Sequence, residues 1–370
     1  MKIIVILLFF ICQLHSQNLI VIDTKEAKEE SIPLSSFASK VEYVALETTS
    51  ECLLRPSDRY YLTDKYVVAV SMFKAAFLFD RKTGRYIHRI TQKGQAPGEF
   101  SFKCEDQYGL KNNVLYINKD KYWEGIHIET KKIVEKIQKP ISVYHAKYNF
   151  ISNPWPYGDS LYVGYVNNIT GGIEKRLVIF NNTGIVLKDF DNPVVYDHTN
   201  HDNPFFHGVY YEYDGQTYFR QYQGNDTVFW LNDYSIVPHI VFEWDDSQMY
   251  YQRQPVFSEN QIYMSYFLEN KDFIMYDCKV NGSFVPKETY QCLYRKKTKT
   301  LKSTRNRNSG FIDDIDHLGE VSPLVATNTE LIDAIPAGEW LKWEDKLLKM
   351  PIDLKVNFDD NPIIRIVHVK

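Results

Sequence analysis

Three of the ten histidines crowd into Asp197-His198-Thr199-Asn200-His201-Asp202-Asn203-Pro204-Phe205-Phe206-His207, beside two carboxylates. Neutral imidazoles and carboxylates are ligands for a transition metal, and the i, i+3 spacing of His198 and His201 lets both reach one ion from a loop. The same composition suits a polar surface loop whose histidines are satisfied by hydrogen bonds. No cofactor is expected on this basis, with calcium or zinc as the alternative occupants. A second group, Asp313, Asp314 and Asp316, has residue types suited to acid–base work or calcium binding, but lacks the alternating oxygen ligands of a calcium loop. Read as a strand, it puts Asp314 and Asp316 on one face and Asp313 on the other, which argues for a turn or channel-lining role. A third stretch, Arg295 to Arg307, holds seven basic residues and no acidic one. Such a run either steers an anionic partner or forms a solvated loop. No GxSxG, HExxH or phosphate-binding glycine loop is present, and no cysteine nucleophile is paired by local context.

The elements that must position these residues are strands. Lys74 to Phe100 reads as a unit: apolar runs Ala76–Asp80 and Arg85–Ile90 flank Arg81-Lys82-Thr83-Gly84, where Gly84 supplies a positive φ for a tight hairpin. Gly94-Gln95-Ala96-Pro97-Gly98-Glu99-Phe100 then forms an ordered turn into the next strand. The unit recurs. An expected inner strand with a Tyr or β-branched centre appears at Lys65–Val68, Val114–Ile117, Ser160–Val163, Gln216–Phe219 and Gln261–Met264, its tyrosines 45–56 residues apart. Outer hairpins follow at Phe77–Ile90, Gly125–Ile137, Leu177–Phe190, Thr227–Phe242 and Phe273–Tyr290, the second and fourth without a turn glycine. This period suits propeller blades with long loops. A sixth unit is assembled from Gly310–Asp316, Glu330–Ile335 and Pro362–Val369, with Val41–Leu46 as its fourth strand closing the ring. Ala337 to Met350, bracketed by Pro336 and Pro351, puts Trp340, Trp343 and Leu347 on one helical face that packs on the rim. The expected fold is therefore all-β: a six-bladed β-propeller over residues 41–370 with one short peripheral helix, preceded by an extension over residues 17–40.

Tyr 27 and Phe 22 in 370 residues agree with a pleated, half-buried architecture. A formal net charge of −4 argues against a nucleic-acid partner. Residues 1–16 read as a secretory signal: Lys2 gives the positive start, and Ile3–Ile11 is too short to span a bilayer. Export to the periplasm or outer membrane follows, as a monomer, with lipid anchoring through Cys12 as the alternative. The mature chain keeps Cys52, Cys104, Cys278 and Cys292, an even number in a compartment that permits disulfides; Cys278 with Cys292 is the favoured pair, and four buried thiols the alternative.

The segments Leu34-Ser35, Val41–Val44, Leu46–Thr49, Phe79-Asp80, Gly94–Phe100, Asn225–Val228, Gly310–Asp316 and Asp360–Ile364 together resemble the secreted six-bladed β-propeller family of Bacteroidetes. The hairpin followed by GxxPGEF also resembles NHL repeats. The resemblance implies fold and export, and no particular activity.

On such a scaffold the connections from one blade's outer strand to the next blade's inner strand share a face with the channel mouth, and long loops there are frequent carriers of function. Gly94–Phe100, Asn192–His207 and Arg295–Arg307 are the expected connections. The predicted ligand site uses His198, His201, His207, Tyr210 and Arg220, with Lys296, Lys297 and Arg305 steering from the rim. A carbohydrate or an envelope protein is the expected partner of a binding or scaffold module. A metal-assisted hydrolase or lyase is the alternative.

Overall fold

The computed structural model describes residues 19–71, 74–100, 110–119, 121–140, 151, 154–158, 160–166, 174–192, 208–221, 226–244, 262–280, 287–307, 309–343 and 354–370. Six blades, each an antiparallel sheet at its core, follow one another along the described chain, with a small two-stranded sheet between the fifth and sixth. The first blade is Arg59–Leu62, Tyr66–Ser71, Ala75–Asp80 and Tyr86–Gln92. The second is Leu110–Lys111, Val114–Asn118, Tyr122–His127 and Ile133–Gln138. Trp155–Pro156, Leu161–Tyr165, Lys175–Asn181 and Val186–Asp191 form the third. Gly208–Tyr213, Gln216–Gln221, Thr227–Asn232 and Ser235–Glu243 form the fourth. In the fifth, Ile262–Tyr263 and Phe267–Glu269 share the inner edge of Phe273–Val280, followed by Glu288–Arg295 and Thr300–Ser303. The sixth runs Val325–Ala326, Glu330–Ile335, Ile363–Val369 and, outermost, Ala38–Ala45. The architecture is a six-bladed β-propeller.

Period-two alternation explains why these strands stack as blades. Val67 and Ala69 pack toward the sixth blade with Ile332 and Ile364, whereas Val68 and Val70 pack toward the second with Leu115 and Ile117. Strands covered on both faces are apolar at successive positions, as YVVAVS and AAFLFD are. Each neighbouring pair of blades has its own buried layer, so the core is a ring of six inter-blade clusters.

The positions called inner strands from the sequence are the second strands of the first four blades. The strands inside them are short, two residues each in the second and third blades. The inner strand of the sixth blade is Val325–Ala326, not Gly310–Asp316; Phe311–Ile312 pairs with Glu320–Val321 and bridges in parallel to Pro33. The N-terminal segment adds a strand to each of two blades. Ile20–Asp23 adds in parallel to Ser235–Glu243 of the fourth blade, and Lys28–Glu29 adds in parallel to Thr300–Ser303 of the fifth. The helix is short, Ala337–Leu341, and buries Trp340 against Tyr43 at the rim; residues 344–353 lie outside the described residues.

Two motifs have a local cause. In the first outer hairpin Asp80 Oδ1 accepts the N–H groups of Lys82 and Thr83, and Gly84 at φ 70° returns its N–H to Asp80 O at 2.8 Å. Lys131 (φ 58°) and Asp233 (φ 49°) hold the same left-handed position in the hairpins that lack glycine. In Gly94–Phe100, Glu99 accepts from Gln92 Nε2 at 2.8 Å and from Ala96 N–H at 3.0 Å, while Phe100 is fully buried. The turn is thereby fixed without regular structure.

Candidate functional site at the channel mouth

A cavity of about 560 Å³ opens where all six blades meet. Its walls are the turns between first and second strands at Tyr61–Tyr66, Leu110–Asn113 and Val325–Glu330, together with inner-edge residues of the third to fifth blades, Trp155, Tyr210–Glu212 and Ser265–Glu269. Arg81 and Glu129, from turns between third and fourth strands, complete the rim. The turns are tight because Asn112 (φ 51°) and Asn113 (φ 61°) both accept the left-handed region, as a two-residue hairpin requires. This mouth lies at the end of the blades opposite to Gly94–Phe100, one of the connections predicted to share a face with the site.

Charge at the mouth is paired across blades. Lys111 Nζ of the second blade donates to Pro156 O of the third at 3.1 Å and to Glu212 Oε1 of the fourth at 2.6 Å. Arg81 of the first blade meets Glu330 Oε1 of the sixth at 2.5 Å and Thr63 O at 3.0 Å. Glu269 is fully buried as a side chain and accepts from Tyr211 Oη at 2.7 Å, His239 Nε2 at 2.9 Å and Lys296 Nζ at 2.7 Å. Burial acts to raise its pKa, yet the bond from His239 and the charges of His239 and Lys296 outweigh burial and hold it below the usual carboxylate value. Burial and the facing Glu269 charge push the Tyr211 hydroxyl well above its ordinary range.

The aromatic residues of the mouth support one another. Trp155 stacks on Tyr210 at 5.6 Å and 15°, and Lys111 Nζ sits 4.7 Å from the Trp155 ring centroid. Tyr211 stacks between Tyr218 and Phe267. The cavity rim carries hydroxyl, amide and charged groups, among them Asp64, Lys65, Asn112, Asn328 and Thr329, all solvent-exposed.

Of the residues predicted from the sequence, His198, His201 and His207 lie outside the described residues. Tyr210 lines the mouth with its ring buried. Arg220 is 2% exposed, over the Phe267 ring and toward the far end of its strand. Arg295–Arg307 is not a connection between blades: Arg295 pairs with Thr300 in a hairpin, and the chain returns as the fifth blade's outer strand. Lys296 and Arg305 therefore stand at opposite ends of that hairpin. Lys296 joins the mouth through Glu269, Lys297 is exposed, and Arg305 Nε pairs with Glu288 at 3.2 Å over the Tyr290 ring. The residues that sequence reasoning missed, Lys111, Glu212, Arg81, Glu269 and Glu330, are scattered singly. The left-handed pair Asn112-Asn113 was the local signal available.

The aspartates are structural. Asp313, 2% exposed, accepts the N–H groups of Ile315, Asp316 and Leu318, closing a turn in which His317 and Gly319 have positive φ. Tyr43 Oη donates to Asp316 at 3.1 Å, and Asp314 accepts Ser35 N–H at 2.9 Å. The strand expected over this segment ends at Ile312, so alternation does not separate Asp313 from Asp316. Cys52, Cys278 and Cys292 are buried thiols, and Cys104 lies outside the described residues. Among the described residues no group of three or more His, Cys, Asp or Glu is placed to hold a metal ion, and no helix is long and apolar enough to cross a membrane.

No curated protein matches the chain. Its fold is similar to the crystal structure of a Bacteroides fragilis protein described as exported, at a TM-score of 0.65 and 15% identity, covering 95% of this chain and 99% of that one. A computationally designed protein, Ika8, aligns at 0.38 with 13% identity over 80% and 84% of the two chains. The WD40 domain of Neurospora crassa Pan2 aligns at 0.38 with 10% identity over 74% and 72%. The sequence profile of a domain of unknown function, DUF4934, matches residues 19–368, and the chain belongs to that family.

Proposed function

We propose that the protein is an exported binding module of the cell envelope whose ligand sits in the channel mouth. The observation that carries this reading is that every blade contributes to one cavity of about 560 Å³, within the size range of small-molecule sites. Export rests on the apolar N-terminal run Ile3–Ile11 and on the likeness to an exported Bacteroides protein. The ligand class follows from charge. Arg81, Lys111 and Lys296 are each matched to a carboxylate, and the exposed Asp64 and Lys65 oppose one another in sign, so the mouth offers nearly balanced charge among amides and hydroxyls. Such a mouth suits a neutral, hydroxyl-rich carbohydrate better than the anionic partner that the basic stretch suggested.

A printed array of neutral and sulfated oligosaccharides, probed with the labelled protein and with Glu212→Ala, tests this. Neutral glycans are expected to bind the native protein, and the variant to bind them about tenfold more weakly, as loss of one charged hydrogen-bonding group implies. Binding confined to sulfated glycans and equal in the variant contradicts the reading.

A further inference from the structure

A second cavity, of about 240 Å³, lies far from the mouth, beneath the N-terminal segment where it crosses the fifth blade. Its lining includes Cys278, Cys292, Tyr276, Tyr290 and Arg305. Strand register sets the arrangement: Tyr276 stands opposite Cys292, and Cys278 opposite Tyr290. The two thiols are thus diagonal neighbours on one face of the sheet, and both line the same cavity. Cys278 is 1% exposed and Cys292 3%.

We propose that Cys278 and Cys292 form a two-coordinate site for a soft monovalent cation of the copper(I) class. Diagonal positions on adjacent antiparallel strands lie roughly 7–8 Å apart at Cα, wider than the usual span of a disulfide. Two free thiols that line one cavity from one face of the sheet are the donor pair of a linear sulfur–metal–sulfur unit, and thiolate is the ligand type that selects copper(I). The step balances: two thiols and one monovalent cation give a dithiolate complex of net charge −1 and release two protons. Burying that charge needs a compensating cation. Arg305 lines the same cavity, its guanidinium 5.4 Å from the Tyr290 ring centroid, and Lys25 lines it from the N-terminal segment. Closure by Thr24, Lys25, Ala27 and Glu29 shields the complex from water and oxidants.

The test is anaerobic titration of the reduced full chain with copper(I), against a chromogenic copper(I) chelator, with proton release and the sulfur-to-copper absorption band followed together. A single ion per chain and two protons released per ion are expected. Cys278→Ser and Cys292→Ser should each abolish the band, while Cys52→Ser keeps it. Arg305→Gln should weaken binding about tenfold with the band unchanged, as outer partners of a metal site do. Circular dichroism of each variant separates loss of the site from loss of the fold. Should either serine variant misfold, alkylation of the native chain decides: copper(I) is expected to protect Cys278 and Cys292 against iodoacetamide and to leave Cys52 unaffected. Equal alkylation with and without copper(I), a band that survives Cys278→Ser, or recovery of Cys278 and Cys292 as a disulfide from freshly exported protein would overturn the proposal.

Discussion

Lys111 and Glu212 meet at 2.6 Å although they stand in the second and fourth blades, with the third contributing Pro156 O and the Trp155 ring beside Lys111. This ion pair spans the channel mouth. Side chains that reach across a blade constrain the width of the cavity as well as its charge.

The Lys111–Glu212 pair contributes to stability only modestly, because the Glu212 side chain is 41% exposed. A double-mutant cycle of Lys111→Met and Glu212→Gln in urea should give a coupling of about 0.5–1 kcal/mol. A coupling near zero would show that the two groups do not interact in solution.

Gly84 is held by conformation and by space together. At φ 70° an added Cβ would lie 1.9 Å from Ala45 O, the end of the outermost strand of the sixth blade. Gly84→Ala should therefore cost about 3 kcal/mol or more, from backbone strain plus displacement of that strand. Gly215 has the same φ of 70° but open space around it, so Gly215→Ala should cost only about 1–2 kcal/mol. Equal losses in denaturant unfolding would refute the packing half of this argument.

Asn361 ties the end of the chain to its beginning. It is 3% exposed, accepts Leu54 N–H at 2.8 Å, and donates to Glu47 O at 2.9 Å and Cys52 O at 2.8 Å. Asn361→Ala leaves one buried N–H and two carbonyls without this partner, and should lower stability by about 2–4 kcal/mol. Hydrogen exchange should quicken at Leu54 first; unchanged exchange there would contradict the assignment.

Glu269 links acid stability to the mouth. Its pKa is depressed in the folded chain relative to the unfolded one, so the stability it confers is present above the unfolded carboxylate value and is lost as pH falls through the folded value. Glu269→Gln should be less stable than the native chain at neutral pH. The difference should shrink below about pH 4. Parallel acid-unfolding curves for the two proteins would remove Glu269 from this role.

The blades were legible because Tyr66, Tyr116, Tyr162 and Tyr218 recur in strands covered on both faces, where a continuous apolar run is unavoidable. The strands inside them were not, since Leu110–Lys111 and Trp155–Pro156 are too short for any period to show. The same shortness hid the site. Its charged residues sit one per turn, Lys111 and Glu212 being 101 positions apart, and their meeting depends on ring closure rather than spacing. The basic run drew attention by composition, but register with Glu288–Arg295 sends Lys296 and Arg305 to opposite ends of a hairpin.

Hydrogen exchange of the full chain, with and without a saturating mixture of neutral oligosaccharides, tests the central claim most directly. The account predicts slower exchange at Thr63–Tyr66, Lys111–Asn113 and Thr327–Glu330, three turns from three blades that line one cavity. Slowing confined to residues 192–207 or to the Arg295–Arg307 hairpin, with those turns unchanged, would contradict it.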